Sequence, residues 1–249
     1  MSERTARLCL HKFCQWVIKL YSKRYLRKPN ANDVQKLYQA QEQRHGFPGM
    51  LGSIDCMHWP WQNCPVSWKG QYTRGDHGHP TIILEAVASQ DLWIWHAFFA
   101  LPGSLNDLNI IYQSQIFEDV VAGTGPDISF TVSGVEYRRG YYLADGIYPT
   151  YSTIVKTIPY PTDDKRKKFA KFQEGARKDI ERAFGVLQKN GKSLNIQHVR
   201  LHQSGYETLC TLVSSFITWS LKTNVERYAS TMKTRLVEIL FQLVGNNKI

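Results

Sequence analysis

The chain has 249 residues, 43% of them hydrophobic and 21% charged, a length that suits one sizeable domain or two small ones. No run of about 18 apolar residues offers a membrane span, Met1 to Arg7 does not read as a secretory leader, and the five scattered cysteines (Cys9, Cys14, Cys56, Cys64, Cys210) argue for a reducing compartment, cytosol or nucleus, over a disulfide framework. Thirty-one Lys and Arg against 21 Asp and Glu give a net charge of +10, which points to a polyanionic partner because each neutralised phosphate releases counterions, although charge alone does not separate DNA from RNA or an anionic membrane.

Residues 5 to 26 carry Cys9, Phe13, Trp16, Val17 and Leu20 at three- and four-residue steps, so an amphipathic helix closed by Pro29 is expected. Asn32 and Gln35 suggest a capping box for a second helix reaching about His45, where Gly46, Pro48 and Gly49 break the pattern. Gly52 to Trp59 then reads as a strand carrying Asp55, followed by a polar loop from Asn63 to His79. The β-branched run 80–88 and the aromatic run 92–101 form an expected hairpin. Asn106 or Asp107 could open a helix through Ile110, Ile111, Gln115 and Phe117 to about Gly123. Ser133-Gly134 is a two-residue turn signal between runs 128–132 and 135–139, and Tyr141 to Ala144 is a short strand ending at Asp145-Gly146. Residues 163 to 188 form a helix on the stripe Phe169, Phe172, Ala176, Ile180, Phe184 and Leu187, and 206–222 and 232–245 also look helical. A mixed sheet with helices packed on it, an α/β fold, follows from this order.

Three acids stand in unusual places: Asp55 inside a strand, Asp145 at a strand end, and Glu181 beside the apolar stripe of the long helix. Each alone has an ordinary explanation. Asp55 fits a hydrogen-bonded turn-facing residue, Asp145-Gly146 a plain turn, and Glu181 an ion pair with Arg177 four residues earlier. Together they suggest a cluster. Carboxylates gathered at one site repel and require protons or a cation, and hard oxygen ligands suit Mg²⁺ or Mn²⁺ in phosphodiester chemistry.

Four blocks carry a resemblance: Gly46 to Trp59, Leu101 to Asp107, Tyr141 to Pro149 and Ala176 to Leu187. In this order they resemble the plant branch of the PIF/Harbinger transposases and their domesticated Harbinger-derived nucleases. That resemblance implies a ribonuclease-H-like fold and a DDE triad of Asp55, Asp145 and Glu181. It also implies a divalent metal, Mg²⁺ or Mn²⁺, held by these acids and Asp107, for which a helix-cap role is the ordinary alternative. The residues between Asp145 and Glu181 number 35 (146–180), the spacing of a DD35E triad. Arg177 resembles the arginine of the transposase C-terminal signature, whereas Gln188, followed by Lys189, stands where its lysine is expected.

The implied organisation is an N-terminal helical segment over 1–48, a catalytic domain over 49–189 and a divergent helical tail over 190–249. The implied activity is cleavage and joining of DNA phosphodiesters in the nucleus by a truncated or domesticated copy. A catalytically silent DNA- or protein-binding scaffold is the alternative. DNA, a separate Myb-like DNA-binding protein and a homo-oligomeric state are the expected partners, and no membrane.

Lys165, Arg166, Lys167, Lys168, Lys171, Arg177 and Lys178 gather positive charge on the helix that bears Glu181, either as a solvated face or as a phosphate-binding surface. Trp59, Trp61, Trp68 and Tyr72 suit packing under a loop better than base stacking. Cys56, His58, Cys64, His77 and His79 match no standard zinc spacing, and Cys56 and His58 share the strand face of Ile54 rather than that of Asp55.

Overall fold

The structure, a computed structural model, describes residues 27–193 except 63, 107–108, 111 and 118–127, together with 5, 8, 9, 12, 15, 16, 19, 20, 23 and 25. The described residues from Thr5 to Tyr25 are all helical. Trp16 and Leu20 of the expected apolar face are exposed, whereas Tyr25 is buried with its ring 5.7 Å from that of Trp93.

Helix α1 spans Ala31–His45. Its cap is Asn30, two residues before the expected Asn32: the Asn30 side chain accepts from the Asp33 N–H, and the Asp33 carboxylate accepts from the Asn30 N–H, both at 3.0 Å. The extended Asn30 precedes three helical residues with an acid at the third, so both orphan donors are satisfied there. Gly46, at φ 72°, ends the helix in the left-handed conformation that costs a glycine nothing.

Strand β1 (Met50–Pro60) is the centre of a five-stranded sheet ordered β3-β2-β1-β6-β7. Strand β2 (Thr81–Ala88), buried at every position, runs antiparallel to β1 from Ser53↔Ala88 to Pro60↔Thr81. Strand β3 (Ile94–Pro102) completes the expected hairpin. On the other side of β1, β6 (Tyr141–Ala144) and β7 (Ile154–Lys156) both run parallel. Helix α3 (Asp164–Ser193) lies against one sheet face, where Ile180, Ala183, Phe184 and Leu187 pack on Met57, Trp59, Leu84 and Ala86. The opposite face gathers Ile54, Val87, Ala144, Tyr148 and Ile154. This mixed sheet flanked by helices is the expected α/β, ribonuclease-H-like fold. Among the described residues, no helix is long and apolar enough to cross a membrane.

Other segments match the expectation in part. The loop after β1 contains a 3-10 turn (Val66–Trp68) and short helix α2 (Lys69–Tyr72), which bury Trp61 and Tyr72. Strands β4 (Phe130–Val132) and β5 (Val135–Tyr137) form their own two-stranded sheet across Ser133 (φ 52°) and Gly134 (φ 81°), the two positive values a type I′ turn demands. After Asn106 the expected helix begins, with Asn109 and Ile110 helical, but the described backbone then turns at Tyr112 and Gln113 and makes a 3-10 turn at Gln115–Phe117. On α3, Phe172 is 52% exposed and Gln173 is fully buried, correcting the expected stripe. The expected helices at 206–222 and 232–245 lie outside the described residues.

Candidate active site

Alternation along β1 sends Ser53, Asp55, Met57 and Trp59 to the face that α3 covers. The Ser53 hydroxyl donates to the Ala176 carbonyl at 3.2 Å, so the helix crosses the strand one turn before Ile180. Asp55 therefore meets the flank of α3 instead of its apolar centre. Arg177 Nη2 lies 3.7 Å from Asp55 Oδ2 and 3.7 Å from Glu181 Oε1. Arg177 and Asp55 keep 17% and 19% of their side-chain surface, and Glu181 keeps 53%. One guanidinium thus links the first and last acids of the expected triad. The i,i+4 pair on the helix is present and reaches beyond the helix.

Asp55 is further held by its own backbone, with Oδ1 accepting the Cys56 N–H at 2.9 Å. Asp145 follows β6 directly, and its Oδ1 accepts the Ile147 N–H at 2.9 Å in the turn that ends the strand. Ser53 pairs with Leu143 across the parallel β1–β6 ladder. Asp55 lies two residues beyond Ser53 on β1, and Asp145 two beyond Leu143, one residue past the end of β6. Asp55 on β1 and Glu181 on α3 are thus joined through Arg177, and Asp145 follows the end of the neighbouring strand β6. Among the described residues, no three His, Cys, Asp or Glu side chains already converge as a metal cage, in keeping with Arg177 between Asp55 and Glu181. The donor set, all carboxylate oxygen, fits a hard divalent cation.

Asp107 lies outside the described residues. Its neighbour Asn106 takes the cap role: its side chain accepts from the Asn109 N–H at 2.8 Å and its carbonyl from the Ile110 N–H at 3.2 Å.

Two buried polar groups on α3 escape the apolar periodicity. Gln173 donates to the Ala144 carbonyl at 2.8 Å and the Val155 carbonyl at 3.3 Å, tying the helix to the strand end that presents Asp145. Asp179, fully buried, meets His45 Nε2 at 2.8 Å and the Arg182 guanidinium, clamping the end of α1 to α3. The one signal in the sequence is their spacing: positions 173 and 176, then 179 and 180, fall on the buried side of a helix that also buries Ala170, Ala183 and Leu187.

Behind Asp55, on the other sheet face, Tyr148 is almost wholly buried with its hydroxyl 3.4 Å from Cys56 Sγ. Burial, then the neighbouring Cys56, Asp55 and Glu85, push the phenol strongly upward, so it stays neutral. Cys56 shares this face with Ile54, as alternation required, and stands apart from the acid site.

The basic residues divide. Lys165, Arg166, Lys167, Lys168, Lys171 and Lys178 are exposed along α3. Arg166 pairs with Asp163 at 3.3 Å, Lys167 with Asp164 at 3.7 Å, and Lys168 lies 5.9 Å from the Phe172 ring centre. Arg177 belongs with the acids.

The ribonuclease-H-like sheet thus carries Asp55 on its central strand, Asp145 just after the adjacent parallel strand and Glu181 on the covering helix. The profile of the family described as Plant transposon protein matches residues 23–217, and the chain belongs to that family. Searches of curated proteins and of solved structures give no match.

Proposed function

We propose that this chain is a DDE-type endonuclease and transposase of the PIF/Harbinger kind, cleaving and joining phosphodiesters in DNA. The observation that carries the reading is the meeting of Asp55, Arg177 and Glu181, with Asp145 just past the end of the strand next to β1. Asp55, Asp145 and Glu181 would hold Mg²⁺ or Mn²⁺, with Asp107 as a further ligand on the resemblance alone. The metal would supply Lewis acidity toward the scissile phosphate and acidify the attacking water or hydroxyl.

The chain's own residues do the rest. Backbone N–H groups of Cys56 and Ile147 orient one oxygen each of Asp55 and Asp145, and the second oxygen of Asp55 faces Arg177. Arg177 balances the carboxylates and supplies positive charge for the pentavalent phosphorane. The exposed lysines of α3 bind the DNA backbone without reading sequence. In this reading the partner is DNA, the place of action is the nucleus, and a Myb-like protein and a second copy of the chain complete the assembly.

Cleavage of labelled duplex DNA in Mg²⁺ or Mn²⁺ tests it, with Asp55→Asn, Asp145→Asn and Glu181→Gln beside the unaltered chain. Each substitution is expected to remove cleavage while leaving DNA retention intact. Unchanged cleavage in all three overturns the triad. DNA retention without cleavage by the unaltered chain selects the silent scaffold instead.

A further inference from the structure

The sheet face turned away from α3 holds a cavity of about 100 Å³. It sits at the sheet end where β1, β6 and β7 begin and β2 finishes, remote from the Asp145 end of β6. Val34 of α1, Val87 of β2 and Ile116 give it apolar walls, and the rings of Trp95 and Tyr142 add flat ones. Its volume is of the order of the roughly 150 Å³ that accommodates a benzene ring.

The polar part of the lining is one-sided in charge. Lys28 and Arg139 both border the cavity, and no Asp or Glu among the described residues does. Arg27, outside the lining, lies 5.9 Å from the Trp95 ring centre and is ion-paired with Asp33. His96, also in the lining, is already engaged through Nε2 with Ser114 Oγ at 3.1 Å and faces the buried Glu85 behind it at 3.8 Å. Thr153 differs: it is 5% exposed, borders the cavity, and its hydroxyl has no hydrogen-bond partner among the described residues. A buried hydroxyl left unmatched costs free energy that a ligand group can recover.

We propose that this cavity binds a small aromatic anion, one ring against Trp95 and Tyr142 with a carboxylate or phosphate toward Lys28 and Arg139. The Thr153 hydroxyl serves a polar substituent on the ring. Few convergent polar groups on an apolar, preformed concavity are the usual composition of a small-ligand site. The same chemistry is found on an aryl phosphate and on an aromatic carboxylic acid, and the proposal does not depend on DNA cleavage.

The test is calorimetric titration of the full chain with phenyl phosphate, benzoate and 4-hydroxybenzoate, with benzyl alcohol as the uncharged ring. Saturable binding of the anions, at least tenfold tighter than of benzyl alcohol, is expected. Arg139→Gln should weaken the anions about tenfold and leave benzyl alcohol unchanged. Ile116→Trp, which fills the cavity from its wall, should remove all binding; Thr153→Val, nearly isosteric, gives a second variant that keeps the packing and should weaken the anions that carry a ring substituent. Asp55→Asn, on the other face, should change nothing. A preference for phenyl phosphate or for the benzoates supports the site and names its source. No saturable binding, or binding unaltered by both Arg139→Gln and Ile116→Trp, overturns it.

Discussion

The guanidinium of Arg177 stands 3.7 Å from the carboxylate of Asp55, joining helix α3 to the central strand at the position where a metal-binding acid is expected. The distance is that of an ion pair without a short hydrogen bond, and Arg177 Nε is buried with no partner among the described residues. Such an arginine offsets the repulsion of two carboxylates and also opposes an incoming cation. Arg177→Gln should therefore lower the melting temperature of the metal-free chain by about 2–4 °C, for a loss of roughly 1 kcal/mol. The same substitution should tighten Mn²⁺ binding by about tenfold, some 1.4 kcal/mol. Titration calorimetry with Mn²⁺ reads the second effect; an unchanged dissociation constant would place Arg177 away from the metal.

Gln173 is the residue through which α3 registers on the end of β6. Gln173→Leu preserves volume and strips the Ala144 and Val155 carbonyls of their donor. The expected cost is about 1–3 kcal/mol in urea denaturation. Cleavage should fall as well, because Asp145 is the next residue after Ala144. A variant with full stability and full cleavage would show that the helix needs no such tie.

Legibility in the sequence follows where side-chain pattern and backbone role coincide. The β2–β3 hairpin, β1 and the Ser133-Gly134 turn are readable because period-two burial and turn chemistry agree there. Strand β7 is not, since Ile154–Lys156 is three residues in a loop and gains its identity only by pairing with β6. Phe172 reads as inward because aromatic residues usually extend an apolar stripe, yet its helix position faces solvent and Gln173 is inside. At the site, Asp55 and Glu181 stand out by context, but their shared partner does not. Arg177 is read from sequence as the i,i+4 partner of Glu181, and only the packing of α3 on β1 adds Asp55.

His58 gives a pH dependence. Its ring accepts or donates to Thr81 Oγ1 at 2.9 Å and lies 4.3 Å from the His77 ring. Burial, then His77 and Arg74, lower its pKa from 6.5 to about 4, with Asp76 opposing. Between those values the unfolded chain binds the proton and the folded chain does not, so stability rises with pH. The His58 contribution is thus complete above about pH 6.5 and is lost as pH falls toward 4. Melting temperatures from pH 7 to 4 should decline less steeply in His58→Gln than in the unaltered chain. Parallel curves would assign the decline to other groups.

The buried Asp179 makes a stronger demand on stability than any acid of the site. It is fully buried between His45 Nε2 and Arg182. Asp179→Ala removes the buried carboxylate with its bonds to His45 and to the half-exposed Arg182, a loss of about 1–3 kcal/mol. His45→Ala tests the same clamp from α1. Loss of far-ultraviolet circular dichroism at lower urea in both variants is the expected result, and a change below roughly 0.5 kcal/mol would rule out the clamp.

The lysines of α3 make the final prediction, and the helix dipole sharpens it. Lys165, Arg166, Lys167 and Lys168 crowd the N-terminal turns, where positive charge is disfavoured. Asp163 and Asp164 pair with Arg166 and Lys167 and relieve part of the cost. Lys171 and Lys178, seven residues apart, share one exposed helix face, and Glu181 lies one turn past Lys178. A DNA strand following these charges runs toward the acids. Replacing Lys168, Lys171 and Lys178 together by Gln should weaken binding to unrelated duplexes equally. The slope of log K against log salt should become shallower by about 0.9 for each phosphate that is no longer neutralised. Fluorescence anisotropy at several salt concentrations measures both; an unchanged slope would leave the row a solvated helix face.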